Sequence, residues 1–283
     1  MKIVKRLAIF SVVTLLFGTC ISPPEFSIVP EIELLDVHFF KGADETAADT
    51  LKITLNFKDG DGDLGLNGDD PRYNSTPFNE KNFYLIKDGV LQSVGTSSIV
   101  LNEIETITKV VDVPDGVTGK LVTTQTPGGP PQDNCYDYGF DSLYVKAKDV
   151  AIFDMSKLVR TIPKSGTPEF YVLYDNFYYK PNKNYRNIEI AFDTLNYNDP
   201  RPEDIYEEYD FHKKLCGIIP FKDRFPVLDE SNKQLDGTMK YIIKVSGLPD
   251  LFLGRQIQLR IKIKDRALHE SNEEKYITND LFE

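Results

Sequence analysis

Residues 51–58, Leu51-Lys52-Ile53-Thr54-Leu55-Asn56-Phe57-Lys58, alternate an apolar with a polar side chain at every step. Successive side chains of a strand point to opposite faces, so Leu51, Ile53, Leu55 and Phe57 line one face and the polar set the other. The pattern predicts a half-buried antiparallel strand. Ile257, Leu259, Ile261 and Ile263 repeat it, with Gln258, Arg260, Lys262 and Lys264 between them. Leu143, Val145 and Ala147 give a shorter version. Working outward, further strands are predicted at 31–39, 82–87, 170–174, 187–192 and 239–245. Helical periodicity is scarce: only 249–254 promises a turn. Many short strands between Gly, Pro, Asn and Asp clusters predict an all-β protein made of sandwich units, two of them by length.

The three alternating strands also close alike, in Phe57-Lys58-Asp59, Ala147-Lys148-Asp149 and Ile263-Lys264-Asp265. Either similar units recur, or Asp ends strands here because its side chain hydrogen-bonds its own backbone in turns. A boundary is expected near Lys164-Ser165-Gly166. That gives a first sandwich over 31–164, carrying the Pro/Gly loop 124–134, and a second over 165–283.

At the N-terminus, Lys2, Lys5 and Arg6 precede an apolar run from Leu7 to Phe17 that is too short to span a bilayer. Phe17-Gly18-Thr19-Cys20 resembles the bacterial lipobox. The resemblance implies that residues 1–19 are a cleaved signal peptide and that Cys20 carries lipid. It departs from the strict box in having Phe17 where leucine is commonest. Residues 20–30, with three prolines, are then an extended tether. Removing residues 1–19 leaves 264 of the 283 residues and takes three basic side chains with it, so the formal charge goes from −11 to −14. Such an excess of carboxylate disfavours nucleic acid and anionic lipid as partners, since both need Lys and Arg against phosphate. In an exported chain the two remaining cysteines, Cys135 and Cys216, are expected to form a disulfide.

Asp59-Gly60-Asp61-Gly62-Asp63 is the sharpest cluster in the chain. Alternate carboxylates separated by glycine can turn their oxygens to one point, and Ca²⁺ takes six to eight such ligands. The run is similar to the start of an EF-hand loop, but Leu64 stands where that loop requires glycine and no glutamate closes it. Two readings stay open: a Ca²⁺ site at a sandwich tip, completed by Asp69, Asp70, Asn67 or backbone carbonyls, or a metal-free acidic turn. Catalytic signals are thin. His38, His212 and His269 make no H-E-x-x-H pair, and no C-x-x-C, G-x-S-x-G or Walker loop occurs. His212 and Cys216 stand four apart, but 209–217 lacks a helical pattern that would face them. Trp is absent, while Tyr171, Tyr174, Tyr178, Tyr179 and Tyr185 crowd one stretch, to stack sugars or to fill strands.

Taken together, Pro30-Glu31-Ile32-Glu33, the stretch Phe57–Leu66, Phe225-Pro226-Val227-Leu228 and Ile263–Leu268 with Ser271-Asn272 resemble Bacteroidota-type outer-membrane lipoproteins over most of the mature chain. The closing hairpin is similar to that of immunoglobulin-like and cadherin-like modules. This resemblance implies the fold and a lipid-anchored place in the cell envelope, and says nothing of biochemical role. With catalytic signals thin, the chain is expected to be a non-enzymatic structural or interaction module with a protein or glycan partner. The alternative is a surface glycan-binding lipoprotein of a polysaccharide-uptake system. Ile21-Ser22-Pro23-Pro24 lacks the acidic cluster of a surface-export tag, which favours the periplasmic face of the outer membrane. Asp49-Thr50-Leu51, Asp141-Ser142-Leu143 and Asp193-Thr194-Leu195 are similar to the O-glycosylation triplet of that group. This makes Thr50, Ser142 and Thr194 candidates.

Overall fold

The structure, a computed structural model, describes residues 26–42, 48–68, 70–100, 106–132, 137–195, 205–215, 222–231, 233–245, 247–252, 254–279 and 281–282. Cys20, Asp69, Cys135 and Cys216 lie outside them, and with them the expected signal peptide, lipid and disulfide.

The described chain is mostly strand, numbered here in chain order. One sheet has β2 (Asp49–Asp59) between β1 (Glu31–Phe40) and β13 (Leu235–Val245), all antiparallel. A second runs β11 (Tyr206–Glu208), β10 (Ile188–Leu195), β14 (Ile257–Ile263), β15 (Glu274–Thr278), with β12 (Lys222–Asp223) also on β10. These two sheets share one core. Leu51, Ile53, Leu55 and Phe57 from β2 meet Ile188, Ile190 and Phe192 from β10 and Ile257, Leu259, Ile261 and Ile263 from β14. The alternation read from the sequence largely matches burial, although Thr54 and Gln258 on the polar side are buried as well. Each such side chain contributes roughly 1.5–3 kcal/mol by leaving water.

The third sheet runs β6 (Lys120–Leu121), β3 (Lys81–Lys87), β4 (Val90–Val100), β5 (Thr106–Asp112), β7 (Tyr138–Lys146), β9 (Thr167–Pro181), β8 (Leu158–Lys164). Its far end returns on itself, because Lys81, Asn82 and Phe83 also pair with Pro181, Lys180 and Tyr179. β3, β4, β5, β7 and β9 thus close into a five-stranded barrel, filled by Phe83, Leu85, Val94, Val111, Leu143, Val145, Leu173 and Phe177. The 15-residue β9 makes this possible: it is long enough to serve β7, β8 and β3 in turn.

The two halves expected from sequence do not follow this pairing. β2 pairs with β13, on the opposite side of the expected boundary, and the barrel is an excursion between β2 and β10. Residues 164/165 fall at the hairpin joining β8 to β9, where Ser165 and Gly166 both have positive φ (50° and 81°). Two such residues form a tight hairpin turn, so the small polar pair that signals a linker in sequence marks the inside of a sheet here. One-turn helices occupy Leu248–Phe252, close to the predicted turn, and Phe211–Leu215, which the sequence pattern did not show. The second is fixed by contacts from afar. Phe211 packs edge-on to Phe192 and Phe252, and the Asp210 carboxylate accepts from the Lys213 amide as a cap.

Candidate metal centre

β2 ends in Asp59, and the chain then turns sharply through Gly60-Asp61-Gly62-Asp63 into Leu64. The turn has no room for side chains at its glycines. A Cβ on Gly62 (φ +70°) would stand 1.9 Å from the Lys233 carbonyl oxygen, and one on Gly65 (φ +100°) 2.2 Å from that of Pro226. Only glycine meets both the positive φ and the close approach. Leu64 bridges to Asp265, two residues beyond β14. The ends of β2 and β14, whose sheets share one core, therefore meet at one point.

Asp59, Asp61, Asp63 and Asp265 each bring a carboxylate oxygen there, and these four atoms lie within 4.8 Å of one another. Asp59 is 0% and Asp265 1% exposed. Three of the carboxylates, those of Asp59, Asp63 and Asp265, are partly held by hydrogen bonds. The Asp63 amide donates to Asp59 Oδ2 (2.9 Å), and the Ala267 amide to Asp63 Oδ2 (2.9 Å). The His269 amide donates to Asp265 Oδ1 (2.7 Å), and its ring Nδ1 lies 2.8 Å from Asp265 Oδ2. The other oxygens of the loop are not satisfied: Oδ1 of Asp59, of Asp61 and of Asp63 is buried with no hydrogen-bond partner. A buried acceptor without a donor costs about 1–3 kcal/mol, more when charged.

The electrostatics follow. Burial first, then the charge of Asp61, pushes the Asp59 carboxyl up to about 6, against the pull of the Asp63 amide; Asp63 and Asp265 add to the rise. Burial and the charges of Asp265 and Asp61 raise Asp63, with Arg266 and the Ala267 amide opposing. The hydrogen bond and charge of Asp265 hold His269 above its usual value. Like charges gathered out of water disfavour ionisation unless a cation joins them. All the donors are hard oxygens, which suits Ca²⁺ and not a thiolate- or imidazole-seeking metal.

Comparison with protein-family models, curated proteins and solved structures finds no match to this chain. Its chemistry rests on its own residues.

Of the metal ligands expected from sequence, Asp59, Asp61 and Asp63 come together. Asp70 does not join them: its carboxylate caps the turn Pro71–Asn74 and pairs with the Arg72 guanidinium. Asn67 is also occupied, accepting from the Val227 amide. Asp265 and His269 are the members that sequence reasoning left out, although the shared Lys-Asp strand ending had marked Asp265. The third such ending separates from the other two. Asp149 lies in a 3₁₀ turn beside the barrel, Ala147–Ile152.

The tyrosines divide as well. Tyr178 packs against Tyr84 and Tyr138, Tyr179 against Phe83, and Tyr185 carries the Arg224 guanidinium 3.9 Å from its ring. Tyr174 is 53% exposed and stacks with Phe140, itself 70% exposed, at 5.8 Å and 26°. Among the glycosylation candidates Ser142 is exposed, whereas Thr50 and Thr194 are partly covered in strands paired on both sides. Among the described residues no helix is long and apolar enough to cross a membrane.

Proposed function

We propose that this chain is a lipid-anchored β-sandwich protein of the bacterial cell envelope, a non-enzymatic structural or interaction module closed at one tip by Ca²⁺. The observation that carries the cation is the set of three buried, unpartnered carboxylate oxygens on Asp59, Asp61 and Asp63, gathered against Asp265. Ca²⁺ accepts irregular shells of six to eight oxygens, so water or backbone carbonyls complete it. Mg²⁺ demands near-ideal octahedral geometry and gives up water reluctantly. An immunoglobulin-like topology is supported by the antiparallel pairing of the two sheets about a single core. A Cys135–Cys216 disulfide belongs to the same exported reading.

The anchor rests on the lipobox-like Phe17–Cys20. Cys20→Ala is expected to move the protein from the membrane fraction to the soluble periplasm. A mutant that stays with the membrane would remove the lipid from the account.

A glycan-binding role is the second reading, and one observation favours it: the near-parallel, exposed Phe140–Tyr174 pair on neighbouring strands of the barrel. Flat aromatic faces stack on sugar rings. Under this reading, binding on a glycan array is lost in the Phe140→Ala/Tyr174→Ala variant. Wild-type protein silent on the array leaves the structural module alone.

A further inference from the structure

We infer that the cation at Asp59, Asp61, Asp63 and Asp265 also fixes how the barrel is seated on the sandwich. This rests on the cation reading of that site. Two chains of contact lead from the aspartates to one residue, Phe225, the neighbour of Arg224.

The first leaves from the ligand loop. The Leu66 amide donates to the Phe225 carbonyl (2.9 Å), and the Leu228 amide to that of Leu64 (3.3 Å). The Val227 amide donates to Asn67 Oδ1 (3.0 Å). With Gly62 and Gly65 pressed against the backbone of Lys233 and Pro226, the loop has no slack against the strap 225–228 or against Lys233. The second leaves from Asp265. Its neighbour Lys264 donates its amide to the Asn187 carbonyl (2.9 Å). The buried Asn187 side chain then grips the strap at both backbone atoms, accepting from the Phe225 amide (2.9 Å) and donating to the Phe225 carbonyl (3.1 Å).

Arg224, next to Phe225, spans the passage into the barrel and the passage out. Its Nη1 donates to Asn74 Oδ1 (2.9 Å) and its Nη2 to the Phe78 carbonyl (2.6 Å), both on the segment that enters β3. Its Nε donates to the Tyr185 carbonyl, on the segment that leaves β9, and its guanidinium lies over the Tyr185 ring. One side chain thus ties both crossings, and the next residue, Phe225, is held by the loop that would carry the ion. With the four carboxylates repelling one another, that loop loosens and Arg224 loses a fixed base. With a cation present the base is rigid. Coupling of this kind needs an element that both sites bias, and here it is the strap 224–228.

Hydrogen exchange of the full mature chain in millimolar Ca²⁺ and in EGTA tests this. The amides of Thr76, Phe78, Tyr185 and Asn187 are hydrogen-bonded and report on the two crossings. Removing Ca²⁺ is expected to speed their exchange about tenfold or more, together with that of residues 59–67. In Arg224→Lys and Arg224→Ala, Tb³⁺ luminescence is expected to show the ion still bound, while exchange at the crossings no longer responds to Ca²⁺. Faster exchange confined to 59–67 and 263–269, with Tb³⁺ bound, overturns the coupling and leaves the cation site standing. Absence of Tb³⁺ and Ca²⁺ binding overturns both.

Discussion

Two fragments made by cutting between residues 164 and 165 should each fail to fold. The cut leaves β2 in one piece and its partner β13, with β10 and β14, in the other. Leu51, Ile53, Leu55 and Phe57 would then face water. At roughly 1.5–3 kcal/mol for each side chain, that loss is about 6–12 kcal/mol, comparable with the whole stability of a typical domain, about 5–15 kcal/mol. The barrel fares no better, because β9 departs with the second piece and takes the partners of β3, β7 and β8. Far-UV circular dichroism and urea titration of residues 26–164 and 165–283 measure this. A cooperative transition in each fragment would show that the core shared by the chain's two ends is dispensable.

Millimolar Ca²⁺ should raise the melting temperature of residues 20–283 above its value in EGTA, with Mg²⁺ giving little. A ligand that binds only the folded state at a hundred times its dissociation constant adds about 2.7 kcal/mol. For a chain of this size, that is a rise of roughly 5–10 °C. Dissociation constants of exported modules lie around 10⁻⁴–10⁻³ M, so the effect grows across the millimolar range. Asp61→Asn with Asp63→Asn removes two charges and keeps a carbonyl for the Ala267 amide, so the fold persists and the shift disappears. Asp265→Asn is expected to reduce it too, although 202 residues separate Asp265 from Asp63.

The pH dependence has a definite sign. Burial pushes the Asp59 carboxyl up to about 6 in the fold, from an ordinary 3.8, so the folded state holds the extra proton between those values. Without cation, the cost of ionising Asp59 is complete above about pH 6 and fades as pH falls towards 3.8. With cation, protons compete for the same oxygens, so the Ca²⁺ shift shrinks as pH drops through 6. A shift that survives the double variant, or equal melting in Ca²⁺, Mg²⁺ and EGTA, would make the loop an ordinary acidic turn.

The alternation at 51–57 and 257–263 was enough to place two strands and say which of their faces is buried, because side-chain direction in a strand depends only on neighbours along the chain. The strands expected at 31–39, 82–87 and 187–192 are also found, although β1 shifts register between Leu34 and Asp36 and burial does not alternate along β10. Edges and connections were less legible. β4 and β8 carry no clean alternation, β8 being exposed along most of its length, and the turn at 165–166 has the composition of a linker.

The candidate site splits along the same line. Asp59, Asp61 and Asp63 were visible because their spacing and their glycines are a property of five consecutive residues. Asp265 was visible only as a repeated ending. Nothing local tells Asp265, which reaches the tip, from Asp149, which lies beside the barrel. That distinction depends on β2 and β14 lying in sheets that face each other, so that their ends converge, while the strand before Asp149 was drawn into a closed barrel. Sequence by itself determined what each segment prefers to be and which side of it avoids water. The tertiary structure alone decided which distant segments share a core and which carboxylates share a point, since burial rewards apolar area wherever it comes from in the chain.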